Sequence, residues 1–70
     1  MDEILAGIVA EACGKDPSLP TEAAAELART SLALPLDADA AEIARVLLAG
    51  SPELDVSWAN AVATAVVGLR

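Results

Sequence analysis

The 70-residue chain contains no histidine, phenylalanine or tyrosine, and it has a single cysteine, Cys13, and a single tryptophan, Trp58. Serine and cysteine nucleophiles are usually activated by a neighbouring base such as histidine, so this absence argues against nucleophilic catalysis. Zinc sites likewise depend on histidines or on several thiols. One cysteine rules out an internal disulfide and is compatible with a reducing compartment. These absences predict a cytoplasmic protein that is not an enzyme and has no cofactor or metal.

Basic residues are also scarce, since four Lys and Arg stand against eleven Asp and Glu and the net charge is −7. Nucleic acids and anionic lipids both attract cationic surfaces, so the sequence predicts neither nucleic acid nor membrane as a partner. The longest nearly apolar run, residues 58–69, is interrupted by Asn60 and Thr64 and is too short to span a bilayer. No basic stretch precedes an apolar core near Met1, so no signal peptide is expected. A basic protein surface is the partner best matched to this charge.

The chain is rich in alanine, with 17 residues, and in leucine, and both residue types favour helices. Proline-containing breaks at residues 16–17, 34–35 and 50–52 divide the chain into four segments with helical spacing of apolar residues. We predict helices over residues 2–13, 20–33, 38–49 and 52–69. A chain of this size forms one domain, residues 1–70, and the predicted fold is an all-α, compact four-helix bundle.

Each of the first two predicted helices has an apolar face. Ile4 belongs to the apolar face of the first helix, and Gly14 is expected to stop that helix. The second helix can begin with Thr21 as its N-cap or with Pro20 at its first position. Its inward side is small, so a neighbouring helix is expected to approach it closely. The inward residues are Ala24, Leu27, Ala28 and Ser31.

The third and fourth predicted helices have capping signals at their starts. Asp39-Ala-Ala-Glu42 has the spacing of a capping box, although Asp37 is a competing cap for the third helix. For the fourth helix, Ser51 is the simplest N-cap because Pro52 then occupies the first helical position, where proline is favoured. We therefore expect the fourth helix to begin directly after Ser51.

The fourth helix is apolar around most of its circumference, over about 240° of a helical projection. A broad face includes Trp58, which we expect to be largely buried. Such a helix either lies centrally among the other three or has a partner, and the valine content of residues 61–67 leaves a strand interpretation open. The residues of the broad face are Leu54, Trp58, Ala61, Val62, Ala65, Val66 and Leu69.

A second apolar ridge, formed by Val56, Ala63 and Val67, lies on roughly the opposite side of this helix. The broad face already suffices for the core of so small a bundle, so we interpret the ridge as the interaction site. Self-association in a homodimer is its simplest use, because most oligomers are two-fold symmetric homo-oligomers. The alternative is that the other three helices surround the fourth and that both faces are core.

Three carboxylates lie within six residues, in the pattern Asp37-x-Asp39-x-x-Glu42. A calcium loop of the helix-loop-helix type needs more oxygen ligands, a central glycine and a glutamate at its twelfth position, and none of these fits here. Helix capping explains the carboxylates, and a weak site for a hard cation is the alternative. We assign no metal ligand.

Two serines are followed by leucine, in Asp16-Pro-Ser18-Leu and in Thr30-Ser31-Leu. Together with the size, acidity and predicted helices, these motifs resemble an acyl carrier protein, in which Asp-Ser-Leu opens the second helix. The resemblance implies a serine that carries phosphopantetheine, at Ser31 or Ser18. The sequence departs from the family pattern, because Pro17 interrupts the first motif and Thr30 replaces the aspartate in the second.

Taken together, composition and pattern predict a non-catalytic protein–protein interaction module. A small acidic adaptor, inhibitor or assembly domain fits this prediction, and the predicted architecture is compatible with a death-fold-like adaptor by fold analogy alone. The expected partner is a protein, including a second copy of the chain. The alternative function is that of an acyl or peptidyl carrier.

Overall fold

The computed structural model describes residues 3–35 and 37–69, which form four helices and no strand. The helices are α1 (Glu3–Lys15), α2 (Thr21–Leu32), α3 (Ala40–Gly50) and α4 (Val56–Leu69). They pack against one another as a small bundle, so the predicted all-α, four-helix fold is confirmed. The strand interpretation of residues 61–67 is wrong, because these residues lie inside α4.

The first helix continues past the predicted stop at Gly14. Its last residue is Lys15, and the backbone N–H of Asp16 still donates to the carbonyl of Ala12 at 3.0 Å. Pro17 has no N–H with which to continue this pattern, so proline rather than glycine ends the helix. The predicted start at residue 2 lies outside the described residues.

The second helix begins at Thr21, which lies between the two predicted starts: one residue after a helix with Pro20 in its first position and one residue before a helix with Thr21 as N-cap. Pro20 is the N-cap, with an extended ψ of 144°, and its carbonyl accepts the N–H of Ala24 at 2.9 Å. Proline has no side-chain acceptor, so no side chain caps the first amides. The helix ends at Leu32 in a tight turn, in which the N–H of Ala33 donates to the carbonyl of Thr30 at 3.2 Å.

The third helix begins at Ala40, two residues after a start at residue 38 and as expected for the alternative start at Ala40, because Asp39 is its N-cap. The Asp39 carboxylate accepts the backbone N–H of Glu42 at 2.8 Å, so the predicted cap at this position is confirmed and prevails over Asp37. The helix continues to Gly50, one residue beyond the predicted end.

The predicted start of the fourth helix is wrong by four residues. Ser51 belongs to the end of α3, where its N–H donates to the carbonyls of Leu47 and Leu48 at 3.2 and 3.3 Å. A turn follows, closed by the N–H of Leu54 on the carbonyl of Ser51 at 2.9 Å. Asp55 then opens α4, because its carboxylate accepts the N–H of Ser57 at 2.8 Å.

α4 is the central helix of the bundle. It packs against α1, α2 and α3, whereas no Cα atom of α1 lies within 8 Å of one in α3. α1 runs antiparallel to α4: a Cβ atom at Gly7, near the start of α1, would lie 3.5 Å from Leu69 near the end of α4. The sequence left open whether the fourth helix lies among the other three or has a partner, and the packing places it among the other three.

The core takes residues from every helix. The largest fully buried side chains are Ile8 from α1, Ser31 from α2, Ile43 from α3, and two valines from α4. The inward side of α2 is small, as predicted, and its buried alanines allow α1 and α4 to approach it closely. The core therefore depends on many small side chains and few large ones.

Besides Leu54, which is only partly buried, three apolar side chains are less buried than the helical pattern predicted. Ile4 at the start of α1 and Leu69 at the end of α4 are exposed, although the Leu69 side chain lies close to α1. Trp58 packs against the core but is only partly buried. Its indole N–H needs a hydrogen-bond acceptor, and it donates to the exposed Ser18 hydroxyl at 3.0 Å.

Candidate functional site

The structure separates the three residues of the predicted interaction ridge on α4. Val56 and Val67 are 58% and 41% exposed, but Ala63 has none of its surface exposed. At about 100° per residue, Ala63 lies about 40° from Val67 on the side of Ala59, which is also fully buried. The prediction that the three form one exposed seam is therefore wrong for Ala63, which is a core residue.

The solvent-facing side of α4 is a stripe of uncharged residues, which we call the outer face. It spans about 120° of the helical projection, and the buried residues occupy most of the remainder. Its members are the two exposed valines and four small or neutral polar residues. The outer face consists of Val56, Ser57, Asn60, Thr64, Val67 and Gly68.

Sequence reasoning found the valines but missed the polar members of the outer face. The signal was present, because residues 56–69 contain no charged residue in a chain that is 21% charged. A search for apolar ridges does not detect a surface that is distinguished by a lack of charge. The structure adds which of these uncharged residues face solvent.

The other three helices expose charged side chains on their solvent-facing sides. Two carboxylates are exposed on each of α1 and α2, and one is exposed on α3. Each of these helices also exposes at least one cation. The exposed charged residues are Glu3, Glu11 and Lys15 on α1, Glu22, Glu26 and Arg29 on α2, and Glu42 and Arg45 on α3.

One edge of the outer face borders an open depression of about 410 Å³ between the end of α1 and α4. It is lined by Ser57, Asn60 and Thr64 from the outer face and by Lys15 and Asp16 from the α1 side. The depression is open to solvent, so it extends the accessible surface beside α4. Its two charged residues have opposite signs, so it adds no net charge to that surface.

A hydrogen-bond chain fixes the α1–α2 connection to α4. The Ser18 hydroxyl accepts the indole N–H of Trp58 at 3.0 Å and donates to the carboxylate of Asp16 at 2.6 Å. The same carboxylate accepts the backbone N–H of Ser18 at 3.1 Å. Each group already has a partner within the chain, so the arrangement stabilises the connection.

The two serines of the carrier-like motifs lie in different environments. Ser31 is fully buried near the end of α2, and its hydroxyl donates to the carbonyl of Leu27 at 2.8 Å. An attachment serine has to reach solvent, so Ser31 is unsuited to that role. Ser18 is exposed, but it lies in the connection three residues before the start of α2.

The carboxylates around the start of α3 serve helix stability. Asp39 caps α3, and Glu42 forms an exposed ion pair with Arg45 at 2.8 Å. In the part of the chain that the structure describes, no three His, Cys, Asp or Glu side chains are grouped so as to hold a metal ion. The lone thiol of Cys13 packs against the core and lies 3.6 Å from the carbonyl of Leu19.

Comparisons with known proteins gave no match, so the functional interpretation rests on the geometry of α4. No protein-family model matches the chain, and no curated protein or solved structure matches it either. Within residues 3–35 and 37–69, no helix has both the length and the apolar character needed to cross a bilayer. The outer face is the surface on which the functional argument rests.

Proposed function

We propose that the chain is a non-catalytic protein interaction module whose contact surface is the outer face of α4. One observation carries this proposal: the face exposes two valines and no charge, whereas α1, α2 and α3 each expose charged side chains. Solvent-facing helix positions are usually filled by Glu, Lys, Arg or Gln, which favour helix more than Val, Thr or Asn do. A contact surface accounts for this departure.

The outer face shares one feature of composition with the centres of protein interfaces, which is its lack of charged residues. The centres of protein interfaces are depleted in charged residues, because removing a charge from water is costly unless the charge is paired. Val56 and Val67 would lose apolar surface to a partner, and Asn60 and Thr64 supply hydrogen-bonding groups between them. The face therefore combines apolar contact with polar groups that can be satisfied.

The test compares two substitutions that add the same charge at equal exposure. Val67 on the outer face and Leu32 at the end of α2 are each 41% exposed, so Leu32→Asp is a matched control for Val67→Asp. Both tagged variants and the unchanged chain would be used to capture proteins from lysate of the source cells. The captured partner would then be purified and titrated directly against all three chains.

We expect Val67→Asp to weaken direct binding at least about tenfold and Leu32→Asp to leave it nearly unchanged. Circular dichroism spectra of both variants serve as the folding control. Binding that tolerates Val67→Asp but is lost with Leu32→Asp would place the contact surface on α2 and contradict the proposal.

A mass measurement separates this function from the carrier alternative. After incubation with a broad-specificity phosphopantetheinyl transferase and coenzyme A, we expect the mass of the chain to stay unchanged, because Ser31 is buried and Ser18 lies outside a helix. A phosphopantetheine adduct that disappears in Ser18→Ala would establish a carrier function instead.

We also propose that the module acts in the cytoplasm. The support is the single cysteine, since Cys13 has no second cysteine in the sequence with which to form an internal disulfide. Fractionation of the source cells, with detection of the native chain, tests this location. Recovery from an extracellular or periplasmic fraction would contradict it.

A further inference from the structure

We infer that the occupant of the outer face is a second copy of this chain, with the two α4 helices packed antiparallel about a two-fold axis. The inference rests on the proposed function of the outer face and names its partner. It follows from the distribution of charge on the described helices, from the charges at the two ends of α4 and from the order of residues along its outer face.

The net charge of −7 restricts how two copies of this chain can meet. A two-fold contact through α1 or α2 would bring two exposed carboxylates per copy to the interface, and a contact through α3 would bring Glu42. Like charges that face each other at an interface are unfavourable. Of the described helices, α4 alone has a solvent-facing side without a carboxylate of its own; the carboxylates of Glu11 and Asp16 lie beside Lys15 across the depressions that border it.

The two ends of α4 determine the relative direction of the paired helices. Glu53 and Asp55 are exposed just before α4, while residues 67–69 at its other end carry no charge and are followed in the sequence by the basic Arg70. A parallel pair would place the two acidic ends side by side. An antiparallel pair places each acidic end beside the end of the other copy that is followed in the sequence by Arg70, and it also opposes the two helix dipoles favourably.

The order of residues along the outer face suits an antiparallel pair. Val56 and Val67 are eleven residues apart, which is about 16 Å along a helix and within about 20° of the same direction. When two such stripes run in opposite directions, Val56 of each copy meets Val67 of the other. Asn60 then lies opposite Thr64 of the second copy, so these two polar side chains can hydrogen-bond to each other when water is removed.

The size and charge of the chain predict how this dimer behaves. One exposed helix face offers less than the roughly 800 Å² per partner of a standard interface, so we expect a reversible dimer with a Kd of tens to hundreds of micromolar. Repulsion between two chains of net charge −7 opposes association, and salt screens it. Added salt should therefore strengthen the dimer, whereas it would weaken binding to a basic protein.

The first experiment measures association of the full chain by sedimentation equilibrium, from about 10 µM to about 1 mM, the range expected for a small interface. We expect the Kd to fall when NaCl is raised from about 0.01 M to about 0.1 M, which shortens the Debye length from about 30 Å to about 10 Å. Val67→Asp should raise the Kd at least about tenfold, and Leu32→Asp should change it less than about twofold.

Val56→Asp is a second variant for this experiment, because an acidic residue is tolerated in the first turn of a helix and Val56 is the first residue of α4. It should also raise the Kd at least about tenfold. A chain that stays monomeric up to about 1 mM overturns the inference, as does a dimer whose Kd is unaffected by both outer-face variants.

The second experiment tests the antiparallel arrangement by disulfide trapping. Val56→Cys and Val67→Cys are made separately in a Cys13→Ala background, and one of the two chains carries a tag so that the masses differ. Under mild oxidation, the mixed product between Val56→Cys and Val67→Cys should form at least about ten times faster than either homotypic product, because the antiparallel register brings those positions together. Dominant homotypic products would overturn the antiparallel arrangement.

The outcomes distinguish this inference from the proposed function. A chain that stays monomeric but captures a different protein in a Val67-dependent manner overturns the self-association and keeps the outer face as the contact surface. Binding that strengthens as salt is removed would identify that occupant as a basic protein. If Val67→Asp changes neither self-association nor capture, both the inference and the proposed function are wrong.

Discussion

α2 and α4 are similar on the inside of the bundle and different on the outside. Both bury alanines against their neighbours, with three buried alanines in α2 and four in α4. On the outside, α2 exposes Glu22, Glu26 and Arg29, whereas α4 exposes no charge from Val56 to Leu69. Core packing therefore explains the inward sides of both helices but not the outward side of α4.

The outer face of α4 is the surface that the packing of the bundle does not explain. Exposed helix positions tolerate charged residues, which also keep a small protein soluble. The outer face of α4 carries Val56 and Val67 where charged residues would be compatible with the fold. We attribute this composition to the proposed binding of a partner, because the stability of the isolated bundle does not require it.

The largest expected effect comes from a charge placed on the inward side of either helix. Ala28 in α2 and Ala63 in α4 are both fully buried, so Ala28→Asp and Ala63→Asp should each cost several kcal/mol, comparable with the whole stability of a small domain. We expect both variants to be unfolded by circular dichroism, while Val67→Asp remains folded. A folded Ala63→Asp chain beside an unfolded Ala28→Asp chain would show that Ala63 belongs to the outer face after all.

The next effect tests how Trp58 connects α4 to the segment before α2. Trp58→Ala should destabilise the chain by about 2 to 3 kcal/mol, less than for a fully buried tryptophan, because the ring is only partly buried. Trp58→Phe keeps most of the packing and should cost about 0.5 to 1.5 kcal/mol through loss of the hydrogen bond to Ser18. Urea unfolding followed by circular dichroism measures both. Equal losses for the two variants would show that the hydrogen bond, rather than packing, is what Trp58 contributes.

Substitutions of the capping residues at helix starts should lower the free energy of unfolding by a smaller amount. α2 and α4 also differ in how their starts are capped. α2 has Pro20 at its N-cap and no side-chain cap, whereas Asp55 caps α4. Asp55→Ala should therefore cost about 1 kcal/mol, similar to Asp39→Ala at the start of α3. Ser51→Ala, at the end of α3, should change stability by less than about 0.5 kcal/mol. A larger loss for Ser51→Ala than for Asp55→Ala in thermal melts would restore Ser51 as the cap of α4.

The smallest effect is expected at the exposed ion pair of α3. Glu42 and Arg45 lie one turn apart, and both side chains are more than half exposed. A double-mutant cycle with Glu42→Gln and Arg45→Gln should give a coupling free energy below about 0.5 kcal/mol, because water and salt screen the pair. A coupling above about 1 kcal/mol would mean that exposed ion pairs contribute to the stability of the fold. The outer face of α4, which has no charges, would then lack a stabilising interaction that α3 has.

Much of the bundle was predictable from local patterns. Proline at positions 17, 35 and 52 separated the helices, and Asp39 was recognised as a cap because its side chain acts on an amide three residues away. The start of α4 was not predictable in the same way. Ser51 and Asp55 are both suitable caps locally, and the choice depends on Ser51 ending α3 and on Leu54 packing against the core.

The candidate site likewise has a part that the sequence predicted and a part that it did not. Val56 and Val67 were recognised as an apolar pair outside the main face of α4, because their spacing alone places them together. Ala63 belongs to the same ridge by spacing, but it is buried. A difference of about 40° around the helix decides between core and surface, and periodicity does not resolve it because the position of the neighbouring helices sets the boundary.

By itself, the sequence determined that this chain forms four helices, that alanine supplies much of its interior and that residues 56–69 contain no charge. These properties follow from residue type and from contacts within a few positions along the chain. Only the tertiary structure decided that α4 is central, that Ser31 is buried and that an uncharged stripe of α4 still faces solvent. Those outcomes depend on which side of each helix its neighbours cover, and that is set by packing between residues far apart in the chain.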